Sequence, residues 1–185
     1  MEKRVAELEK KIEMLQTQLE DMKSEMADDQ LSLVVLSGEL DRVLAAFIIA
    51  VGAAAMYERV VMFFTFWGIT ALRDKEKTVK KDDVMAKMFD MMLPCGAGGL
   101  PLSKMNMFGL GTRMMKSLMA KKNVLSLEDL IRSAADFGVE IVICEMSMDL
   151  MGFAKTEMID YPNITLGGVA TFLQEAARSK ASLFI

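Results

Sequence analysis

The stretch GVEIVICEMSMDLMGF, residues 138–153, indicates the fold of this chain more clearly than any other. Residues 139–143 are mostly apolar and β-branched, a pattern that is typical of a strand covered on both faces. Cys144 comes as this strand ends, and residues 145–151 are good helix formers that stop at Gly152. A cysteine at such a switch is expected at the carboxyl edge of a sheet, where open α/β proteins carry out their chemistry.

Cys144 is therefore the first candidate for a functional residue. Backbone N–H groups at the start of the following helix point toward its sulfur and favour the thiolate. We predict that Cys144 is a reactive sulfur on an accessible rim of the sheet. The alternative is an inert core cysteine, which is the usual role of an isolated cysteine in an apolar strand.

The composition excludes several classes of site. The chain of 185 residues contains no histidine, which removes His-based metal sites, Ser-His-Asp triads and Cys-His dyads. Its net charge is −4 and it has no basic aromatic stripe, so no nucleic-acid partner is predicted. The two cysteines form no CxxC motif, which favours free thiols in a reducing cytoplasm. No metal or organic cofactor is required by the predicted chemistry.

The N-terminal region, residues 1–28, differs in character from the rest. Apolar residues recur there with alternating steps of three and four, which is the seam of a coiled coil. These residues are Val5, Leu8, Ile12, Leu15, Leu19, Met22 and Met26. We predict an oligomerisation helix over residues 1–28, preceding an α/β domain over 29–185. The alternative is a helix that folds back on its own domain.

Strand and helix patterns alternate through residues 29–185. The strands are predicted at residues 31–36, 60–67, 139–143, 163–166 and 182–185. This alternation favours a three-layer α/β/α domain with a five-stranded, mainly parallel sheet. The apolar region 43–72 is interrupted by Glu58 and Arg59, and neither half reaches the ~20 residues of a spanning helix, so no membrane span is predicted.

A glycine-rich loop, CGAGGLPLSKMNMFGLG at residues 95–111, is the second candidate region. Long loops of this kind in compact domains are more often functional than connecting. The loop begins with Cys95, which we expect to be exposed. It also contains Lys104, which is the best candidate for a cation beside the Cys144 thiolate. The other supporting residues predicted near Cys144 are Arg113 as a second cation, and Ser103 and Ser147 as hydrogen-bond donors.

Four segments together resemble the DsrE/DsrF/DrsH-like family of sulfur-relay proteins. They are GVEIVICEMSMDLMGF, LGGVATFLQEAARSKASLFI, VVLSGELDRVLAAFIIA and the loop LPLSKMN at residues 100–106. The resemblance covers residues 31–185 and implies a parallel α/β/α domain that forms homo-oligomers. It also implies that Cys144 carries sulfur as a persulfide, between a donor protein and a TusA-like acceptor. The role of Cys95 is less defined.

Two other functions remain open from the sequence. The protein could be a thiol redox or sensing protein, in which Cys95 and Cys144 form a reversible disulfide; that requires their α-carbons to lie within about 7 Å of each other. It could also be a non-catalytic assembly module, in which the heptad helix and a methionine-rich surface bind another protein.

Overall fold

The fold is built on a five-stranded parallel sheet. The structure is a computed structural model that describes residues 4, 8, 10–18, 27–77, 79, 81 and 84–185. The strands are β1 Asp28–Val35, β2 Arg59–Phe64, β3 Glu140–Cys144, β4 Ile164–Gly167 and β5 Ser179–Phe184. Their order in the sheet is β4-β3-β2-β1-β5, and every neighbouring pair is parallel. The predicted α/β class and parallel five-stranded sheet are confirmed.

Helices connect the strands. They are α1 Leu40–Ala53, α2 Val84–Met92, α3 Leu110–Lys121, α4 Leu127–Asp136, α5 Glu145–Met151 and α6 Val169–Arg178. The second strand was expected to reach residue 67, but it ends at Phe64 and a 3-10 helix follows at Phe66–Leu72. The Gly68 N–H donates to the Leu36 carbonyl at 2.9 Å, which draws this segment over the end of β1.

The two faces of the sheet carry separate cores, because successive strand residues point to opposite sides. One face, formed by residues such as Met62, Phe64 and Ile143, packs against α1 and α4 in the larger core. In this core the rings of Phe47 and Phe64 lie 5.9 Å apart. The other face carries a smaller cluster that packs against Phe172 of α6. The sheet is thus covered more deeply on one side than on the other.

Helix α4 begins with a capping box formed by Ser126 and Asp129. The Ser126 Oγ accepts a hydrogen bond from the Asp129 N–H at 3.1 Å, and the Asp129 carboxylate accepts one from the Ser126 N–H at 3.4 Å. This reciprocal pair satisfies two donors that a helix start otherwise leaves free.

The predicted heptad helix is described only in part. Leu8, Ile12 and Leu15 are helical and are 57%, 55% and 64% exposed. The other seam residues, Val5, Leu19, Met22 and Met26, lie outside the described residues. Its role in oligomerisation therefore stays a prediction. Within the part of the chain that the structure describes, no helix combines the length and apolar character needed to cross a bilayer.

Polar contacts at the amino end of the sheet attach α6. Arg59 donates to the Glu140 carboxylate at 2.8 and 2.6 Å, and it also donates to the Glu175 carboxylate of α6. Gln30 donates to the same Glu175 carboxylate at 2.9 Å. Burial acts to raise the pKa of Glu175, but these hydrogen bonds and the Arg59 charge outweigh it, so the pKa lies below its ordinary value of 4.5.

Replacing Gly68 should test how closely the 3-10 helix approaches β1. In Gly68→Ala the new Cβ would lie 2.4 Å from the Val35 carbonyl oxygen, so we expect a loss of about 1–3 kcal/mol in the free energy of unfolding. Gly52→Ala in α1 is the control, because its Cβ meets nothing within 4 Å and alanine should stabilise the helix by about 1 kcal/mol. Denaturant unfolding measures both. A Gly68→Ala protein as stable as the wild type would contradict the close approach.

The Glu175 contacts should make stability depend on pH. A lowered pKa in the folded state stabilises the protein above the ordinary value of 4.5, and this contribution disappears as the pH falls through the folded-state pKa. Glu175→Gln should therefore lower the free energy of unfolding by about 1 kcal/mol at neutral pH, with the difference shrinking on acidification. Unfolding curves across pH measure this, with the exposed Glu128→Gln as control. A difference that grows toward acid pH would refute the expectation.

Candidate functional site

Cys144 is the last residue of β3 and the residue that immediately precedes α5. Its backbone is extended, with φ −67° and ψ 111°, and it pairs in register with Gly167 at the end of β4. The predicted strand-to-helix switch at this residue is therefore confirmed, and so is its location at the carboxyl edge of the sheet.

The predicted accessibility of Cys144 is wrong for the single chain. The residue is 1% exposed, and its side chain belongs to the smaller cluster with Val61, Phe63 and Val142. The physical reason is the pleat of β3. Because side chains alternate along a strand, Cys144 points to the same side as Val142, toward the face that α6 covers.

Helix α6 covers this cluster through a small contact. The ring of Phe172 lies 5.4 Å from the ring of Phe63, centroid to centroid. The absence of a side chain at Gly167 permits the approach, since a Cβ there would lie 2.9 Å from Val142 Cγ1 and 3.2 Å from Thr171 Oγ1. No residue of α6 is fully buried, and Leu173 is 58% exposed. The helix that packs over the Cys144 cluster therefore has no fully buried residue of its own.

The glycine-rich loop packs on the opposite side of the sheet. Leu100 is buried in the larger core, and the Pro101 carbonyl accepts a hydrogen bond from the Leu40 N–H at 2.7 Å. Ser103 donates to the Asp41 carboxylate of α1 through its N–H at 2.8 Å and its Oγ at 2.5 Å. Burial acts to raise the pKa of Asp41, but these hydrogen bonds outweigh it and the pKa lies below 3.8.

The structure does not bring the predicted supporting residues to the Cys144 sulfur. Lys104 is exposed within the loop that packs on the larger core, and Arg113 is exposed on α3. Ser147 is fully buried, and its Oγ lies 2.9 Å from Thr65 Oγ1, which joins α5 to the end of β2. Among the described residues none donates a hydrogen bond to the sulfur of Cys144.

Cys95 lies at a different place on the carboxyl side of the sheet. It is half-buried and, like Cys144, it is a free thiol. Its neighbour Gly96 donates its N–H to the Thr70 carbonyl at 2.9 Å and has φ +75°. A Cβ at Gly96 would lie 2.8 Å from the Arg73 carbonyl oxygen, so the start of the loop runs directly against the Thr70–Arg73 backbone.

A buried charged group adjoins this part of the chain. The Arg73 guanidinium lies 4.4 Å from the centre of the Phe153 ring and pairs with Asp90 and with Glu157. Lys81 pairs with the same Glu157 carboxylate. These contacts join α2 and the turn after α5 to the end of the first 3-10 helix. No group of three or more Cys, Asp and Glu side chains among the described residues is arranged to hold a metal ion.

Three residues that hold α6 against the sheet were not predicted from the sequence. Phe172 contacts the cluster that contains the cysteine, and the pair Arg59 and Glu175 fixes the distal end of the same helix. The alternation of Val142 and Cys144 along β3 was a usable signal, because it assigns the sulfur to one face. The Arg59 pairing had no comparable signal, since its partners lie far apart in the sequence.

Comparison with known proteins identifies relatives along most of the chain. The family model described as DsrE/DsrF/DrsH-like matches residues 27–184. YrkE, an uncharacterized protein of Bacillus subtilis, is 45% identical over 154 residues, covering 83% of this chain and 95% of that protein. The sulfur carrier protein DsrE2 of Allochromatium vinosum is 33% identical over 163 residues, covering 86% of this chain and 100% of that protein.

Among solved structures, the ychN protein of E. coli aligns with a TM-score of 0.48 and 10% identity, over 85% of this chain and 99% of that one. The family assignment rests on the sequence matches. The family model spans β1 to β5, and so it includes the strand that ends at Cys144, the glycine-rich loop and α6. On these matches, the chain belongs to the DsrE/DsrF/DrsH-like family.

Proposed function

We propose that this protein is a sulfur carrier that holds sulfur as a persulfide on Cys144. The observation that carries the proposal is the location of Cys144, at the carboxyl end of a central strand and directly before a helix. Support at the family level comes from DsrE2, whose name describes a sulfur carrier and whose whole length aligns with this chain. The sulfur-relay character of the family points to protein partners.

The transfer step needs only a thiol and a persulfide. The Cys144 thiolate attacks the outer sulfur of a donor persulfide, the donor S–S bond breaks, and the donor leaves as a thiolate. A new S–S bond forms on Cys144, and no electrons are gained or lost overall. Transfer to an acceptor thiol repeats the same exchange in the other direction, so the cycle needs neither a metal nor an organic cofactor.

The burial of Cys144 adds a condition to this proposal. On this proposal a donor reaches the sulfur when α6 moves away from Val61 and Phe63, and no residue of α6 is fully buried. Closure of α6 would then shelter the bound persulfide from water and oxidants. We therefore infer a carrier that loads in an open state and stores sulfur in a closed one.

The partners and compartment belong to the same proposal. A persulfide donor and a TusA-like acceptor follow from the family, and a homo-oligomer follows from the heptad seam at residues 1–28. Free thiols at Cys95 and Cys144 fit a reducing compartment, so the proposed site of action is the cytoplasm.

Mass spectrometry should identify the cysteine that carries sulfur. After incubation with glutathione persulfide, the wild type and Cys95→Ser should gain the mass of one or more sulfur atoms. Cys144→Ser should gain none, because it lacks the attacking thiolate. Circular dichroism controls for folding of both variants. Unchanged loading of Cys144→Ser would reject the proposal, and a loss of two hydrogens in the wild type would indicate a Cys95–Cys144 disulfide instead.

Opening of α6 should limit the reactivity of Cys144. Phe172→Ala removes the ring that contacts the cysteine cluster, so alkylation of Cys144 by iodoacetamide should accelerate roughly tenfold, which corresponds to about 1.4 kcal/mol of opening free energy. Leu173→Ala on the same helix is the matched control, because Leu173 is 58% exposed. The alkylation rate of half-buried Cys95 reports on general unfolding. Equal rates at Cys144 in the two variants would exclude α6 as the cover.

A further inference from the structure

One stretch of the chain, residues 91–127, differs in charge from all the rest. It contains no Asp or Glu but five cationic residues, whereas the whole chain has a net charge of −4, so the remaining residues together carry −9. A segment with this charge in an acidic protein indicates a surface that meets an anionic partner. The cationic residues are Lys104, Arg113, Lys116, Lys121 and Lys122.

Helix α3 lies on the surface of the domain and carries apolar side chains on its outward side. Met119 is buried beneath the helix, whereas Leu110, Met114 and Leu118 are 54%, 65% and 51% exposed. Steps of four residues place these three side chains in one stripe along the helix. A surface helix ordinarily turns its apolar stripe toward the core, so α3 presents an apolar stripe where polar residues are expected.

Cations flank this stripe. Arg113 follows Leu110 by three residues and Lys121 follows Leu118 by three, and both cationic side chains are exposed. Residues three apart are neighbours on a helix, so these charges lie beside the apolar side chains. A third cation of the helix, Lys116, instead donates to a carbonyl of the glycine-rich loop at 2.8 Å. The outward side of α3 is therefore apolar along its centre and cationic at its margins.

The loop before α3 adds further apolar side chains to the same surface. Met105 and Met107 line a groove of about 730 Å³ together with Met114 and Leu118, which places the loop beside the helix. The two loop methionines are 79% and 65% exposed, and Phe108 is fully exposed. We call residues 104–108 together with the outward side of α3 the α3 surface.

The groove also contains charged side chains. Lys104 and Lys121 line it, and so does Asp41. The Asp41 carboxylate accepts hydrogen bonds from the Ser103 N–H at 2.8 Å and the Ser103 Oγ at 2.5 Å, so this acidic group is already engaged by the loop. Both lysines are exposed. Two exposed cations beside one engaged carboxylate leave the groove with a net positive charge.

Backbone strain is concentrated in the loop that presents these apolar side chains. Met105, Met107 and Phe108 have φ values of 58°, 44° and 56°, in the left-handed region that side-chain-bearing residues rarely adopt. Such conformations persist only where the surrounding structure imposes them, and they are concentrated at binding sites. Burial of the Phe108 ring does not impose this one, because the ring is fully exposed.

Hydrogen bonds around Asn106 impose the conformation instead. The Asn106 carbonyl accepts from the N–H groups of Gly109 and Gly111 at 2.8 and 3.0 Å. Its side-chain Oδ1 accepts from Thr112 Oγ1 at 2.8 Å, and Thr112 Oγ1 in turn accepts from the Leu102 N–H at 3.1 Å. The loop is therefore fixed by its own polar groups with its apolar side chains directed to solvent, which is the form of a binding element made in advance.

We propose that the α3 surface binds the interface of an anionic lipid bilayer. Phe108, Met114 and Leu118 enter the boundary between headgroups and acyl chains, and Arg113 and Lys121 contact lipid phosphates. The cations supply attraction to anionic lipids, and the exposed apolar side chains supply the burial that charge attraction alone lacks. Binding of this kind is independent of sulfur transfer, and it adds a location at a membrane surface to the proposed function.

Co-sedimentation of the full-length protein with vesicles tests the proposal. Vesicles of phosphatidylcholine with about 30% phosphatidylglycerol should bind the protein, and vesicles of phosphatidylcholine alone should bind it much more weakly. Binding should also weaken as the ionic strength rises, because salt screens the attraction between cations and headgroups. A wild type that stays in the supernatant with both kinds of vesicle would overturn the proposal.

Matched variants locate the binding surface. Phe108→Ala should weaken binding to the anionic vesicles roughly tenfold, because it removes a ring that enters the interface. Phe137→Ala is its control, since Phe137 is 63% exposed at the end of α4. Lys121→Glu should weaken binding at least about fivefold, and Lys155→Glu, an exposed lysine between α5 and β4, should leave it unchanged. Equal binding by Phe108→Ala and Phe137→Ala would assign binding to another part of the chain and refute the α3 surface.

A fluorescent reporter separates insertion from attraction by charge alone. Trp67 is the only tryptophan of the chain, so Phe108→Trp combined with Trp67→Phe places a single tryptophan in the loop. Its emission should shift to shorter wavelength on anionic vesicles, and brominated acyl chains should quench it. Unshifted emission from vesicle-bound protein would overturn the proposal. Persulfide loading is measured on the same variants without vesicles, so loss of membrane binding and loss of sulfur carriage are distinguishable.

Discussion

The alternation of side chains along β3 is the constraint on which the site depends. Ile141 and Ile143 point into the larger core, and the same pleat turns Val142 and Cys144 toward α6. Cross-strand pairing of Cys144 with Gly167 fixes this orientation. The sulfur at the end of β3 therefore faces the side of the sheet on which α6 packs, and not the side on which the glycine-rich loop packs.

The two layers of helix differ in how deeply they pack on the sheet. Helices α1 and α4 bury a continuous apolar core that includes Val43, Phe47 and Leu130, and the glycine-rich loop is hydrogen-bonded onto that side through Asp41. Helix α6 packs on the other side, where the ring of Phe172 contacts that of Phe63 and Glu175 joins the polar cluster around Arg59. The opening of α6 that we propose would leave the larger core intact, because the residues of that core lie on the other side of the sheet.

The fold was predictable from the sequence because its signals are local. Apolar runs predicted all five strands, although β2 ends at Phe64 and not at residue 67, and β5 begins at Ser179 and not at residue 182. The environment of Cys144 depended instead on contacts between distant segments. The sequence pattern places Cys144 just after the strand, where the direction of its side chain is not fixed. In the structure Cys144 is the last residue of β3, so its side chain follows the alternation of the strand. The loop with Lys104 and Ser103 was expected at the sulfur, but hydrogen bonding of Ser103 to α1 holds it on the other core.

The position of β5 has a consequence for synthesis of the chain. This strand pairs with β1, with Asp28 beside Ser179 and Val34 beside Phe184, so the first and last strands are neighbours. While a ribosome is still producing the segments between them, one hydrogen-bonding edge of β1 has no native partner. Unpaired edges of apolar strands promote aggregation. Nascent chains of this protein should therefore depend on chaperones until β5 emerges.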